Sequence, residues 1–440
     1  MIFLFVHQNF PGQYKQIVRY LADQPGNTVY FITQNSNNAM VGVKKLVYKV
    51  DLPQSLNCHP YSIDYDIAVR TGLAVAQVCQ TLEQQGIVPD FIAGHCGWGE
   101  MLFIKDVFPD APVLSYFEFF YHYASVDVDF DEEYPADTRA AFRLRTRNAV
   151  NLLSFDAADW GNTPTKWQRS LHPPEMRSRL TRIHEGVDTE LACPDPDAWV
   201  KVGTADNEIR LSAKDEVITY IARNLEPYRG FHIFMRAAVE ILRRRPKAYI
   251  IMIGGDEVSY GPAHPSGRSF REVMMEEVGH ELPMDRVFFP GQVAYDIYLN
   301  ILQISSAHVY LTYPFVLSWS FIEAMSAGCA IIGSDTPPVM EVLRDGENGL
   351  AVDFFSPTEI ADRVDQILDH PTRMQHMRDA ARRTAVSEYD FKAVMLPRWL
   401  ALMDDMMGGR RPKTEFAVAS ETLKPTTTKQ ARTGRKAAGR

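Results

Sequence analysis

Strand-like and helix-like stretches alternate along this chain, and the alternation runs through twice. Short apolar runs at Ile2–Val6, Val29–Thr33, Phe91–Gly94 and Val113–Tyr116 are separated by helical patterns at Tyr14–Asp23, Asp66–Gln85 and Glu100–Val107. Such alternation builds a parallel sheet covered by helices on both faces. From residue 217 the pattern restarts. Strands are expected at Val217–Ala222, Ala248–Gly254, Val287–Phe289 and Ala307–Leu311, with helices at Phe231–Arg244, Arg271–Val278 and Tyr295–Gln303 between them. Two consecutive α/β domains follow, joined within 188–215, where Pro194 and Pro196 interrupt and polar residues dominate. No solenoid repeat is present.

At 440 residues the chain is long enough for two domains with full cores. Its hydrophobic content is 46%, and no apolar run approaches the length of a membrane span. Met1–Phe10 is apolar but lacks a basic leader, so it reads as a first buried strand rather than a signal peptide. Cys58, Cys79, Cys96, Cys193 and Cys329 are scattered, with no pair at metal-ligand spacing, which suits a reducing cytoplasm. The formal net charge is −9, yet residues 410–440 are rich in Lys and Arg and nearly free of large apolar side chains. A disordered basic tail is expected over 408–440, either solubilising or a weak anchor to anionic lipid.

The stretch Tyr313–Asp353 carries the most chemistry. It reads as a turn, a helix opening near Ser318, a buried strand around Ala330–Gly333, a turn at Pro337-Pro338, and a short helix through Glu341–Leu343 stopped by Gly346 and Gly349. A helix N-terminus offers unpaired N–H groups to phosphate oxygens, and Glu323, one turn in, can accept two sugar hydroxyls. Phosphate and sugar hydroxyls together suit a nucleotide-sugar.

This stretch resembles the donor-binding signature of glycosyltransferase family 4, retaining enzymes of the two-domain GT-B fold. The resemblance rests on Glu323-Ala324-Met325, Gly328, Ser334, Pro338, Glu341-Val342, Gly346, Gly349 and Leu350. It continues in Ile183–Thr189, which looks like the end of the family's first domain, and in residues 386–407, which look like its closing helix. His7–Gln13, His95–Glu100 and Tyr313–Ser320 are similar to a bacterial subgroup. The implied architecture is α/β, with two Rossmann-like domains facing a cleft. The acceptor-side domain is expected at 1–190, the nucleotide-sugar domain at 191–385, and a helix crossing back at 386–407.

The resemblance also implies roles for individual residues. Arg223, after a strand, and Arg229, before Gly230, match the family's basic pair, which neutralises the departing diphosphate. Ser318 and Trp319 fall where the family presents backbone N–H groups to the diphosphate; Trp319 either narrows the pocket or packs in the core. Glu323 holds the ribose hydroxyls. Gly12, in the turn after the first strand, and Gly255, after the strand before it, let the backbone approach the donor. Where the family has a second, sugar-facing glutamate, this chain has Phe315. Either Phe315 packs on an apolar sugar face, or Glu118 supplies the missing carboxylate from the other domain. His95 is comparable, as a ligand to the acceptor or a turn residue; Glu118 and His95 are the catalytic candidates.

Asp127, Asp129, Asp131, Glu132 and Glu133 lack the spacing of a calcium hand and read as a solvated loop, so no metal is expected. Arg139, Arg143 and Arg147 form a basic helical face, either docking a lipid diphosphate or anionic membrane or simply solvated. The resemblance implies a cytoplasmic, retaining glycosyltransferase, either free or peripheral at the inner face of the membrane. It would move a sugar from a nucleotide-diphosphate donor to a glycan or lipid-linked acceptor in bacterial surface polysaccharide synthesis, with no further cofactor and no nucleic-acid partner. The alternatives are a nucleotide-sugar epimerase on the same fold and a degenerate, non-catalytic nucleotide-sugar-binding subunit.

Overall fold

The computed structural model describes residues 1–53, 56–123, 126–137, 139–204 and 207–416. Its first sheet comprises β1 (Ile2–Val6), β2 (Thr28–Thr33), β3 (Val43–Val47), β4 (Phe91–His95), β5 (Val113–Tyr116), β6 (Trp160–Thr163) and β7 (Leu180–Arg182). The order is β3-β2-β1-β4-β5-β6-β7, with every pairing parallel. Phe3, Leu4, Phe5 and Val6 are all buried. Helices cover both faces of such a strand, which is why β1 reads as an unbroken apolar run.

An antiparallel ribbon follows, β8 (Trp199–Thr204) with β9 (Asn207–Ser212). The second sheet comprises β10 (Val217–Asn224), β11 (Tyr249–Gly255), β12 (Val287–Gly291), β13 (Ala307–Tyr310), β14 (Ile331–Ser334) and β15 (Leu350–Val352). Its order is β12-β11-β10-β13-β14-β15, again parallel. Each sheet starts in its middle, winds outward one way, then returns and winds the other way. The reversals fall between β1 and β4 and between β10 and β13. Loops leaving neighbouring strands diverge there and open a crevice at the strands' carboxyl ends. The loop after β1 carries Gly12, the end of β10 carries Arg223, and the loop after β13 carries Ser318.

After the helix Pro371–Thr384 the chain kinks at Asp390 and continues as the helix Leu396–Met407. Val187 N–H donates to Tyr389 O (2.9 Å) and Phe391 N–H to Val187 O (2.8 Å), stitching this crossing to the first domain. Trp399 packs against Tyr14, ring centroids 6.3 Å apart.

Three expectations need correction. The 188–215 connection contains the β8–β9 ribbon, whose Val200 and Leu211 join the core; the alternation of apolar and polar residues there was masked by the flanking prolines. The helix expected at Glu100–Val107 is only Ile104–Val107. Residues 410–416, expected to be part of a disordered tail, run along the edge of β7. Arg182 N–H donates to Thr414 O (2.9 Å), Thr181 Oγ1 to Lys413 O (2.7 Å), and Arg182 Nε to Glu415 (2.7 Å). An edge strand offers unpaired backbone groups that hold a polar segment without any apolar contribution from it. The rest of that tail, 417–440, lies outside the described residues. Among the described residues, no helix is long and apolar enough to cross a membrane.

Candidate functional site

The two reversals face each other across a cavity of about 490 Å³. The first domain contributes Gly12, Gln13, Lys15 and the turn Glu185–Asp188; the second contributes Arg223, Gln292, Tyr295, Tyr298, Ser318, Trp319 and Glu323. Gly12 has φ +53°, and a Cβ there would stand 2.7 Å from the His7 ring, so only glycine makes this turn.

The helix Trp319–Ser326 begins at the cavity with Ser318 as its N-cap. Ser318 N–H is tied to Tyr310 Oη at 2.7 Å, and Phe321 N–H turns back to Ser318 O. Among the described residues, the N–H groups of Trp319 and Ser320 take no protein acceptor, as the first turn of a helix dictates. Arg223 lines the same space and makes no ion pair among the described residues. Two free N–H groups beside a free guanidinium can hold an anion with several oxygens.

Glu323 lies one turn into that helix. Its Oε1 accepts from Tyr295 Oη (2.6 Å) and its Oε2 from Tyr298 Oη (2.7 Å). Burial pushes the carboxyl up from its ordinary range, and the two phenols pull it back. Each oxygen retains acceptor capacity for a ligand hydroxyl, while the phenols fix its orientation. Lys15, from the first domain, sits 5.0 Å over the Tyr295 ring.

Trp319 is 42% exposed, so it is not a core residue. Its indole Nε1 donates across the cleft to Glu185 Oε2 (3.2 Å). The other oxygen, Oε1, accepts from Tyr116 Oη. Sequence reasoning missed Glu185. The available signal was a glutamate in the loop after β7, just before Gly186, whose φ of +82° marks a tight turn at the carboxyl edge of the sheet.

Five of the expected donor residues, Gly12, Arg223, Ser318, Trp319 and Glu323, therefore line one cavity. The others do not. Arg229 is buried, and its Nη1 donates to Tyr310 Oη (3.1 Å), Thr312 Oγ1 (2.8 Å) and Val316 O (2.9 Å), pinning the 310–318 loop. Phe315 is buried against Phe119, Tyr228 and Tyr260, centroids 4.6 to 5.6 Å away. A Cβ on Gly255 would meet Asn224 Oδ1 at 2.4 Å, so this glycine makes room for a neighbouring side chain. His95 is buried between Trp98 (4.3 Å) and Tyr116 (5.2 Å), and its Nδ1 accepts from Gly97 N–H. Its Nε2 stands 3.6 Å from Glu118, beyond hydrogen-bonding distance. Glu118 is not among the residues that line the cavity; its half-buried side chain accepts from Gln13 Nε2 at 3.1 Å. Burial pushes its carboxyl up, but His95 and Gln13 outweigh that and hold it below the usual range.

The acidic loop is solvated at Asp129, Glu132 and Glu133, as expected, but not throughout. Asp127 and Asp131 are buried. Asp131 accepts from Tyr313 Oη (2.7 Å) and lies 2.9 Å from His232 Nε2, and Glu133 pairs with Arg236 at 2.8 Å through both oxygens. The loop is a strap from the first domain onto the second.

Solved structures share this architecture. A sucrose-phosphate synthase from Thermosynechococcus elongatus superposes with TM-score 0.67 at 17% identity, over 93% of this chain and 100% of that one. Anabaena HepE, solved in complex with UDP-glucose, gives TM-score 0.61 at 14% identity, over 93% and 100%. Residues 25–192 match the pattern of the family described as Glycosyl transferase family 4 group, and residues 204–384 that of Glycosyl transferases group 1. The chain has the GT-B fold, and each of its two domains matches a glycosyltransferase family. Among curated relatives of this GT-B chain, the alpha-D-kanosaminyltransferase of Streptomyces kanamyceticus is 23% identical over 45% of this chain and 48% of its own length. Spore coat protein SA of Bacillus subtilis is 26% identical over 50% and 58%. The chain thus spans about half the length of the curated relatives it matches.

Proposed function

We propose that this GT-B protein is a retaining glycosyltransferase that takes a sugar from a nucleotide-diphosphate donor and passes it to a glycan or lipid-linked acceptor, as in bacterial surface polysaccharide synthesis. The observation that carries the proposal is the joining of Arg223, the free N–H groups of Trp319 and Ser320, and Glu323 in one cavity at the switch points of both sheets. The free N–H groups and Arg223 receive the diphosphate and stabilise its growing charge as the bond to the anomeric carbon breaks. Glu323, oriented by Tyr295 and Tyr298, accepts the ribose hydroxyls. HepE, of the same fold, was solved with UDP and with UDP-glucose, which supports a nucleotide-sugar as the donor. The acceptor hydroxyl enters from the first domain; its oxygen bonds to the anomeric carbon as the bond from that carbon to the diphosphate breaks, and its proton passes to the departing diphosphate oxygen.

Incubating the protein with UDP-, GDP-, ADP- or dTDP-glucose, alone and then with an acceptor mixture, tests the reading. Nucleoside diphosphate release that requires acceptor supports transfer. Release of an epimerised sugar without acceptor would identify an epimerase, and binding without turnover in any mixture a non-catalytic subunit.

A further inference from the structure

Glu185 is a buried carboxylate in the wall of the cavity with few partners of its own. Its oxygens accept one hydrogen from the Tyr116 phenol and one from the Trp319 indole, both neutral donors. His184 Nδ1 is 3.6 Å away, but that nitrogen already accepts from Gly186 N–H, so it has no proton to offer. Among the described residues, no Lys or Arg pairs with Glu185. An ionised carboxylate can accept about four hydrogen bonds, so this one has acceptor capacity left, in a wall that a ligand touches. A buried charge with so little compensation is costly unless a ligand completes it.

Its position limits what the ligand group is. Trp319 supplies a backbone N–H to the anion site and, through its own side chain, the indole N–H to Glu185. The carboxylate therefore lies one indole's reach from the diphosphate site. Glu323 with Tyr295 and Tyr298 occupies the second-domain side of the same space, while Glu185 comes from the first domain. A second phosphate beside Glu185 would be repelled. A neutral, hydroxyl-rich group joined to the diphosphate fits.

We propose that Glu185 and Trp319 form a sugar subsite assembled from both domains, in which the Glu185 carboxylate accepts hydrogen bonds from hydroxyls of the donor's sugar. The indole N–H holds the carboxylate in place, and the exposed ring face gives the sugar an apolar floor. This carboxylate lines the cavity, which neither the buried Phe315 nor Glu118 does. The inference rests on the nucleotide-sugar reading above and specifies the residues that read the sugar.

The test is calorimetric titration of the full chain, and of its Glu185→Gln and Trp319→Phe variants, with UDP, GDP, ADP and dTDP and with the glucose conjugate of each. The quantity read is the ratio of nucleotide to nucleotide-sugar dissociation constants. Glu185→Gln is expected to shift that ratio against the sugar conjugate by about tenfold, with affinity for the bare nucleotide unchanged or tighter. Trp319→Phe keeps a ring on the exposed face, loses only the N–H, and is expected to shift the ratio severalfold in the same direction; it decides the matter if Glu185→Gln fails to fold. An unchanged ratio in the folded variants overturns the subsite and leaves the donor reading intact. Equal weakening of nucleotide and conjugate also overturns it, making the pair a mere clasp between domains. Failure of all four nucleotides to bind the unmodified protein would overturn the donor reading, and the subsite with it.

Discussion

The two domains meet at the strap and at the cavity, and these two fronts are built oppositely. At the strap, Asp131 meets His232 and Tyr313, Glu133 meets Arg236, and Phe130 packs among Tyr313, Phe354 and Phe355. At the cavity, charges are left with capacity to spare: Arg223 without an ion pair among the described residues, Glu185 with two neutral donors, Glu323 with two phenols. Arg223 and Arg229 bring the contrast down to six positions on one segment. Arg229 is sealed by three acceptors, while Arg223 faces open space. Partnered charge holds a fold together; charge left incomplete in a cavity is available for a ligand.

The sharpest way to break this contrast is Arg229→Ala. It leaves Tyr310, Thr312 and Val316 O without their buried donor, and the expected loss is about 3 kcal/mol or more of folding stability, read as a fall in the denaturant midpoint. A variant with normal stability but abolished nucleotide binding would move Arg229 to the ligand side of the comparison.

Asp127 sharpens the strap side through pH. Burial pushes its carboxyl up to about 6, against its own and neighbouring backbone N–H groups, Arg147 and Tyr228. Because the folded state keeps a proton that the unfolded chain has lost, stability from this group falls as pH rises from about 4 through 6 and stays reduced above. Asp127→Asn is therefore expected to gain roughly 2–3 kcal/mol at pH 7.5 and little at pH 4. Destabilisation at pH 7.5 would show that the ionised form is well partnered after all.

On the cavity side, Glu323→Gln is expected to weaken nucleotide-sugar binding roughly tenfold with the fold intact, since an amide replaces one of two acceptor oxygens with a donor. Unchanged affinity in a titration would remove Glu323 from the ligand set. The smallest effect is expected at the C-terminus. Removing 417–440 should leave turnover and melting midpoint unchanged, whereas removing 410–440 should lower the midpoint by stripping the β7 edge of Thr414 and Glu415. Equal behaviour of the two truncations would show that the edge contacts contribute nothing.

How much of this could be read in the sequence follows the same division. Strand-end motifs were legible because a parallel α/β sheet delivers its strand ends to one crevice, so Gly12, Arg223, Ser318, Trp319 and Glu323 could be grouped without knowing their distances. The strap was not. Asp127 and Asp131 look solvated because their partners, Tyr228, Tyr313 and His232, lie about a hundred residues or more away in the chain. Arg229 looked like Arg223 for the same reason, since residue type does not reveal which guanidinium the 310–318 loop will close over. Glu185 acquires its character only from Tyr116 and Trp319, on different domains.

The central claim is that the cavity charge left free is the charge that binds the donor, and Arg223 tests it most directly. Titration of the intact protein and of Arg223→Ala with the nucleoside diphosphates is predicted to show one site in the former. In the variant that site should be weaker by roughly 10- to 100-fold, the worth of a charged hydrogen bond, at an unchanged melting midpoint. Equal affinity in the two proteins, or loss of folding in place of loss of binding, would contradict the account.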